Sequence, residues 1–67
     1  MKNNFAHNVR ELRLQKGLLQ REFAEKLKTT QRKVSYWENG HIEPDLDTLI
    51  EIADYFVVSV DELIREE

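Results

Sequence analysis

The 67 residues are enough for one domain only, and the absence of cysteine excludes disulfides and thiolate metal sites, which leaves helix packing or a partner subunit to stabilise so small a core. The longest apolar run covers four residues, 55–58, which excludes a transmembrane span and a signal-peptide core, so the protein is expected in the cytoplasm. The net charge of −3 conceals a division that indicates one anion-binding surface, because residues 1–37 carry nine basic and three acidic side chains and residues 38–67 carry one and ten.

The first predicted helix begins near the N-terminus and ends at Gly17, where glycine suits a left-handed residue. Asn3 or Asn4 can cap its start. Its apolar stripe has the spacing i, i+4, i+7 and consists of Phe5, Val9 and Leu12. This pattern predicts an amphipathic helix that packs one side on the core.

Two short helices are predicted next. The second helix covers about residues 20–27, and Leu19, which has no side-chain oxygen, leaves it without the usual cap. Its inward-facing residues are Phe23, Ala24 and Leu27. The third helix begins after Thr30, a good N-cap, and ends at residues 39–40.

The last third of the chain predicts two more helices after the loop that contains Pro44. Asp45 is the expected cap of the fourth helix, and Ser59 with Glu62 forms a capping box that opens a short fifth helix. The apolar face predicted for the fourth helix consists of Leu46, Leu49, Ile50, Ala53 and Phe56. Five short helices without strand-like alternation make residues 1–67 a single all-α domain.

The third predicted helix carries the functional signal. Val34 and Trp37 form its one apolar stripe, and the opposite face consists of Gln31, Arg32, Ser35 and Tyr36, with Lys33 at the edge. Glutamine pairs in a bidentate manner with adenine and arginine with guanine, and hydroxyl groups adapt to either. An ordinary solvent-exposed face is the alternative, but such faces usually carry glutamate and lysine. The pattern favours a helix that reads base edges.

Several further features occur together in this region. Ala24 lies in the second predicted helix, Val34 lies in the third, and Trp37 is followed directly by Glu38-Asn39-Gly40. With these residues, the segment 5–64 resembles the Cro/cI-type (XRE-like) helix-turn-helix domains of phage repressors and small bacterial regulators. The resemblance implies a compact five-helix, lambda-repressor-like fold with its motif at about residues 20–39. It also implies specific binding to double-stranded operator DNA, with repression of transcription as the expected result.

The resemblance also implies roles for individual residues. The third helix would lie in the major groove, while Gln20, at the start of the second helix, and Asn39 with the Gly40 amide would hold phosphates. The expected DNA contacts are Gln20, Lys28, Thr30, Gln31, Arg32, Lys33, Ser35, Tyr36, Asn39 and Gly40. Arg13 and Glu38 would form a buried ion pair between the first and third helices, and Phe23, Ala24, Val34 and Trp37 would belong to the core.

The sequence departs from the family pattern at several positions. Lys28 and Val57 occupy positions where glycine, or asparagine in the case of Val57, is usual, and a β-branched residue with positive φ would be an outlier. The fourth helix is therefore expected to end differently. The loop at Glu43 lacks the arginine that some relatives insert into the minor groove, so readout of the minor groove is not expected.

The expected assembly is a homodimer on a palindromic operator, because one short recognition helix contacts too few bases. Its candidate pairing surface, Val58, Val60, Leu63 and Ile64, overlaps the predicted core. An alternative function is that of an antitoxin or adaptor whose acidic half, residues 38–67, binds a basic protein. No nucleophile with its base, phosphate loop or small-molecule effector site is recognisable, and His7 and His41 lack ligand-spaced companions, so neither catalysis, cofactor nor metal is expected.

Overall fold

The computed structural model describes residues 3–66, and this part of the chain folds into five helices without a strand. The helices are α1 (Phe5–Gln15), α2 (Gln20–Lys26), α3 (Gln31–Glu38), α4 (Leu46–Phe56) and α5 (Val60–Ile64). Helix α3 packs against α1 and α2, and α5 packs against α1 and α4. The all-α prediction is confirmed, with the end of α2 one residue earlier than expected. Within residues 3–66, none of the helices has both the length and the apolar character needed to cross a membrane.

The side chains expected to cap the helices accept hydrogen bonds from backbone amides that have no partner within the first helical turn. These bonds run from Lys33 N to Thr30 Oγ1 (3.2 Å), from Thr48 N to Asp45 Oδ1 (2.9 Å) and from Glu62 N to Ser59 Oγ (3.0 Å). The capping box of α5 is complete, since Ser59 N donates to Glu62 Oε1 at 2.8 Å. At α1 the side chain that accepts is Asn3, whose Oδ1 receives the Phe5 amide at 3.0 Å.

The core lies between the five helices and is almost entirely apolar. Its buried apolar members are Phe5, Val9, Phe23, Ala24, Val34, Trp37, Ile52, Ala53, Phe56 and Leu63. Phe5 meets the edge of Trp37 with ring centroids 6.4 Å apart, which joins α1 to α3. Phe23 and Phe56 lie 5.2 Å apart and join α2 to α4. The core positions inferred for the α2–α3 region are confirmed.

Helix α4 is rotated about its axis relative to the face predicted from the sequence. Leu46 and Ile50 belong to the predicted face but are 69% and 43% exposed, whereas Ile52, which does not belong to it, is completely buried. Two apolar stripes overlap on this helix, and Ala53 and Phe56 belong to both. Periodicity alone does not choose between them, because the choice depends on where the neighbouring helices lie.

The expectation that α4 would end differently because of Val57 is wrong. Val57 adopts the left-handed conformation, with φ 57° and ψ 46°, and the Val58 amide donates to Ala53 O at 3.0 Å to close the helix. Lys28 likewise has φ 58° at the end of α2. Because a side chain with a Cβ is disfavoured in this conformation, both residues carry backbone strain that glycine would not.

The side chain of Asn8 joins α1 to the end of α5. Its Nδ2 group donates to Leu63 O at 3.0 Å and to Arg65 O at 2.9 Å, carbonyls that the helix itself leaves without a partner. The backbone amide of Asn4 donates to Ile64 O at 2.9 Å in the same region. These bonds fasten α5 to α1 and place the two ends of the described chain side by side.

The candidate pairing surface in the C-terminal third requires a correction at Leu63. This side chain is 0% exposed and belongs to the core, so it offers no surface to a second molecule. Val58, Val60 and Ile64 pack against the core but are only partly buried. The neighbouring Val57 is 88% exposed, which makes it the most accessible large apolar residue of this region.

Candidate nucleic-acid interface

Helix α3 has one buried side and one exposed side. Val34 and Trp37 are 0% and 3% exposed and hold the helix on the core. The exposed side chains are Gln31, Arg32, Lys33 and Tyr36, and Ser35 is half-buried. The arrangement presents an amide, a guanidinium, an ammonium and a phenol on one short rigid element, with their donors and acceptors open to solvent.

The turn from α2 to α3 depends on the left-handed residue Lys28. The Thr29 amide donates back to Ala24 O at 2.9 Å, and Ala24 itself is buried, with 2% exposure. The Lys28 side chain is exposed beside the start of α3. Thr30, also exposed, uses its oxygen as the α3 cap and keeps its hydroxyl proton for another acceptor.

At the other end of α3, Ser35 and Asn39 are already hydrogen-bonded to each other. Asn39 Nδ2 donates to Ser35 Oγ at 3.2 Å, one helical turn away. This bond leaves the second Nδ2 proton, the amide oxygen of Asn39 and the Ser35 hydroxyl proton for other partners. The two residues were inferred separately from the sequence, and the structure brings them together.

The chain leaves α3 through a tight turn at Gly40. Gly40 has φ 75°, and the His41 amide donates to Tyr36 O at 2.9 Å. The His41 ring meets the Tyr36 ring nearly at a right angle, with centroids 5.9 Å apart. Sequence reasoning gave His41 no role, and its contact with Tyr36 follows from the turn geometry rather than from any periodic pattern.

Behind the exposed face, Arg13, Glu38 and Gln20 connect α1, α3 and α2. Arg13 Nε donates to Glu38 Oε2 at 2.6 Å and Arg13 Nη2 to Glu38 Oε1 at 3.0 Å, a bidentate ion pair. The remaining guanidinium nitrogen, Nη1, donates to Leu18 O at 2.7 Å. Gln20 Nε2 also donates to Glu38 Oε1 at 3.0 Å, a contact that the sequence analysis did not anticipate.

The start of α2 is organised without a side-chain cap at Leu19, as expected. Instead, the Leu19 amide donates to Glu22 Oε1 at 2.8 Å, so only the glutamate half of a capping box is present. This interaction places the Glu22 carboxylate at the N-terminus of α2, where the positive end of the helix dipole stabilises it. Leu19 is 56% exposed and contributes its backbone rather than its side chain.

The loop after α3 carries an acidic side chain, Glu43, which is exposed. Glu43 Oε2 accepts a hydrogen bond from Asn3 Nδ2 at 2.8 Å. Further along, hydrogen bonds from the side chain and backbone amide of Thr48 lower the pKa of Asp45, with a smaller contribution from the charge of Lys33. Within residues 3–66, no three His, Asp or Glu side chains are grouped so that they could hold a metal ion.

Comparison with known proteins identifies relatives over nearly the whole chain. A helix-turn-helix family model matches residues 9–63. The uncharacterised HTH-type transcriptional regulator YqaE of Bacillus subtilis (strain 168) is 40% identical over 63 residues, which cover 94% of this chain and 54% of that protein. The HTH-type transcriptional activator BcrR of Enterococcus faecalis is 35% identical over 63 residues, covering 94% and 31%. The chain thus spans about half or less of these relatives.

Solved structures with the same arrangement have more than one function. A transcriptional regulator from Listeria innocua has a TM-score of 0.89 and 38% identity, covering 96% of this chain and 60% of that chain. Hydroxypropylphosphonic acid epoxidase from S. wedmorenis has a TM-score of 0.81 and 31% identity, covering 90% of this chain and 32% of the enzyme. The five-helix arrangement therefore occurs in a regulator and also as about a third of an enzyme chain.

Proposed function

The chain belongs to the helix-turn-helix family, and from this membership we propose that it binds double-stranded DNA sequence-specifically and regulates transcription. The observation that carries the proposal is the division of α3 between a buried and an exposed side. Val34 and Trp37 hold the helix in place, and Gln31 and Arg32 project from it. A helix fixed in this way can enter the major groove, whose width admits one α-helix.

The proposed base contacts come from the exposed side of α3. Gln31 suits the donor and acceptor pair on adenine, and Arg32 suits the two acceptors on guanine. Ser35 and Tyr36 add hydroxyl groups that can donate or accept. This division of chemistry would give the protein preferences at a few adjacent base pairs.

The proposed phosphate contacts surround these residues. Lys28 and Lys33 supply charge, Gln20 and Asn39 supply side-chain amide donors, and Thr30 and the Gly40 backbone amide complete the set. Such contacts fix the position of the helix and supply affinity that falls with salt, without reading sequence.

A homodimer on a palindromic operator is part of the proposal. Two half-sites about one turn of DNA apart, roughly 34 Å, would double the number of base pairs read. The candidate pairing surface is the exposed Val57 together with the partly buried Val58, Val60 and Ile64. Sedimentation of the protein with and without a bound duplex tests this part separately.

Selection of bound duplexes from a random DNA pool tests the function directly. We expect a consensus with two inverted half-sites, each a few base pairs long. Recovery of a single, unrepeated half-site would remove the dimer and keep DNA reading. Failure to bind any duplex at low ionic strength would contradict the proposed function. The position of the recovered site relative to a promoter would then determine whether binding represses or activates.

A second candidate function is the binding of a basic protein by the acidic half of the chain. The observation that favours it is the outer side of α4, where Leu46 and Ile50 are exposed and Asp47, Glu51 and Asp54 lie alongside. Replacement of Leu46 and Ile50 by serine should abolish capture of such a partner while selection of DNA is unchanged. Unchanged capture would eliminate this surface.

The proposal assigns no catalytic step to this chain. Its similarity to the epoxidase covers 32% of that enzyme, and the residues placed in the interface are donors and acceptors for binding. DNA binding needs neither a metal nor a cofactor in this arrangement.

A further inference from the structure

We propose that Glu38 is a positioning residue for DNA binding: its carboxylate holds the Gln20 amide so that a preset N–H donor faces a DNA phosphate. The inference rests on the proposed function and adds a residue that never touches the nucleic acid. It also gives the ion pair between Arg13 and Glu38 a role beyond joining two helices.

Arg13, Glu38 and Gln20 form one hydrogen-bonded junction between three helices. The Glu38 side chain is 3% exposed and the Arg13 side chain 9% exposed, so both charges are almost completely removed from water. Oε2 of Glu38 accepts from Arg13 Nε at 2.6 Å, and Oε1 accepts from Arg13 Nη2 and Gln20 Nε2, each at 3.0 Å. Gln20, the first residue of α2, is only partly buried, so part of this residue is accessible to solvent.

The chemistry of the carboxylate determines which way the Gln20 amide points. An ionised carboxylate only accepts hydrogen bonds, so Gln20 must present Nε2 to it and not Oε1. One Nε2 proton is then committed to Glu38, and the second proton points away from the carboxylate. A glutamine without this partner would rotate its amide freely and offer oxygen, which repels a phosphate, as often as nitrogen.

Two consequences favour phosphate binding. Glutamine is among the side chains that lose the most rotamer freedom when they are ordered, and here that loss occurs on folding, before DNA arrives. The bidentate Arg13 compensates the negative charge of Glu38, so an acidic group can lie close to a phosphate contact without strong repulsion. The junction therefore presents a neutral, oriented donor at the surface.

A measurement on the free protein tests the geometry without DNA. In a side-chain amide NMR spectrum, we expect one Nε2 proton of Gln20 to be shifted and to exchange slowly with water. The exposed Gln15 and Gln31 are internal controls, and their Nε2 protons should have unshifted signals and exchange rapidly with water. Identical behaviour of all three glutamines would overturn the proposal whether or not the protein binds DNA.

A second measurement uses a duplex from the selection, with single phosphates replaced by neutral methylphosphonates in turn. When the phosphate held by Gln20 is neutralised, the affinity of the wild type for the duplex should fall about tenfold, which corresponds to one hydrogen bond to a charged partner. Gln20→Ala should become insensitive at that phosphate alone, which identifies it. If Gln20→Ala keeps the wild-type pattern, Gln20 holds no phosphate and the proposal is overturned.

The decisive variant is Arg13→Met with Glu38→Leu, which replaces the pair by apolar groups of similar size so that α1 and α3 remain packed. We expect it to lose sensitivity at the same single phosphate as Gln20→Ala while keeping its base preferences. If the variant lost sensitivity to neutralisation at every phosphate alike, the ion pair would have a purely structural role. If it kept the wild-type sensitivity at the phosphate assigned to Gln20, Gln20 would need no positioning by Glu38. Either result would overturn the proposal. Failure to recover any duplex would count against DNA binding itself, and the NMR measurement would still decide the geometry.

Discussion

The guanidinium of Arg13 and the carboxylate of Glu38 form a bidentate ion pair that is almost completely buried, with a shortest N–O distance of 2.6 Å. A pair of this kind contributes little net stability compared with apolar residues of the same volume, but the removal of one partner leaves an uncompensated charge in the interior. Its energetic signature is therefore an asymmetry between single and double replacement.

We expect Glu38→Ala to lower the free energy of unfolding by about 3–5 kcal/mol, because it leaves the Arg13 guanidinium buried without its counter-charge. For a domain whose total stability is on the order of 3–10 kcal/mol, much of the protein would be unfolded. Urea denaturation followed by circular dichroism provides the measurement. The matched control is the double variant Arg13→Met with Glu38→Leu, which should stay within about 1.5 kcal/mol of the wild type. Equal losses in both variants would contradict a charge-based explanation.

Val57→Gly should stabilise the domain by about 0.5–1 kcal/mol. The left-handed conformation costs a residue with a Cβ roughly 1–2 kcal/mol, which glycine avoids. Glycine also loses more conformational entropy on folding, and this offsets about 0.5–1 kcal/mol of the gain. Since Val57 is 88% exposed, the change removes little packing. Thermal unfolding gives the comparison, with Val58→Gly as the control that should destabilise. A lower melting temperature for Val57→Gly would mean that its side chain contributes packing in solution.

Gln31→Ala should reduce the preference for one base at one operator position by about 1–3 kcal/mol. Lys33→Ala should instead weaken binding to all duplexes alike and reduce the slope of log affinity against log salt by about 1. Fluorescence anisotropy with the selected site and single-base variants separates the two effects. Gln15→Ala, on the exposed surface of α1, is the control and should change neither. If Lys33→Ala altered the base preference, the division between base and phosphate contacts would be wrong.

The stability of the domain should decrease as the pH falls below 4.5. Hydrogen bonds from the Ser59 backbone amide and side chain lower the pKa of Glu62 from its ordinary value of 4.5, and hydrogen bonds from Thr48 lower that of Asp45 from 3.8. A lowered folded-state pKa contributes stability above the unfolded-state value and loses it as the pH falls through the folded-state value. Melting temperatures measured from pH 6 downward should show this decrease.

The control for the pH effect keeps the caps and removes their charge. The variants Asp45→Asn and Glu62→Gln retain side-chain oxygens that accept the same backbone amides. With both changes, the melting temperature should vary less with pH over the acid range than in the wild type. An unchanged pH profile would assign the acid sensitivity to other carboxylates.

Asn8→Ala should cost about 1–3 kcal/mol, because the terminal carbonyls of α5 lose their donor. The exposed neighbour His7→Ala is the control and should change stability by less than about 0.5 kcal/mol. Hydrogen exchange would show where the change acts, since amides of α5 should lose protection first. Loss of protection restricted to α3 would contradict the assigned role.

Much of the fold could be predicted from local signals, because caps and left-handed turn residues act within a few positions. Thr30, Asp45 and Ser59 begin helices where the sequence indicated, and Gly17 and Gly40 adopt the positive φ that only glycine favours. The inward side of α3 was also predicted correctly, since it has one short apolar stripe and no competing one.

The sequence could not predict contacts that depend on where helices meet. The rotation of α4 depends on where the neighbouring helices lie. The bond from Gln20 to Glu38 and the bonds from Asn8 to α5 join residues far apart in the chain, so no periodic pattern in the sequence indicates them. Val57 shows a different failure. The cost of its strained conformation was recognised, but the bonds that close α4 outweigh it, so the helix keeps its ending.

The bond between the Asn4 amide and Ile64 O closes the described chain into a ring. A helix of five residues has little stability by itself, yet α5 cannot separate from the rest without releasing the beginning of α1 and exposing Leu63 to water. Since α1 also supports α3, opening at either end spreads to the middle. The protein should therefore lose its structure in one cooperative step, without a stable four-helix remnant.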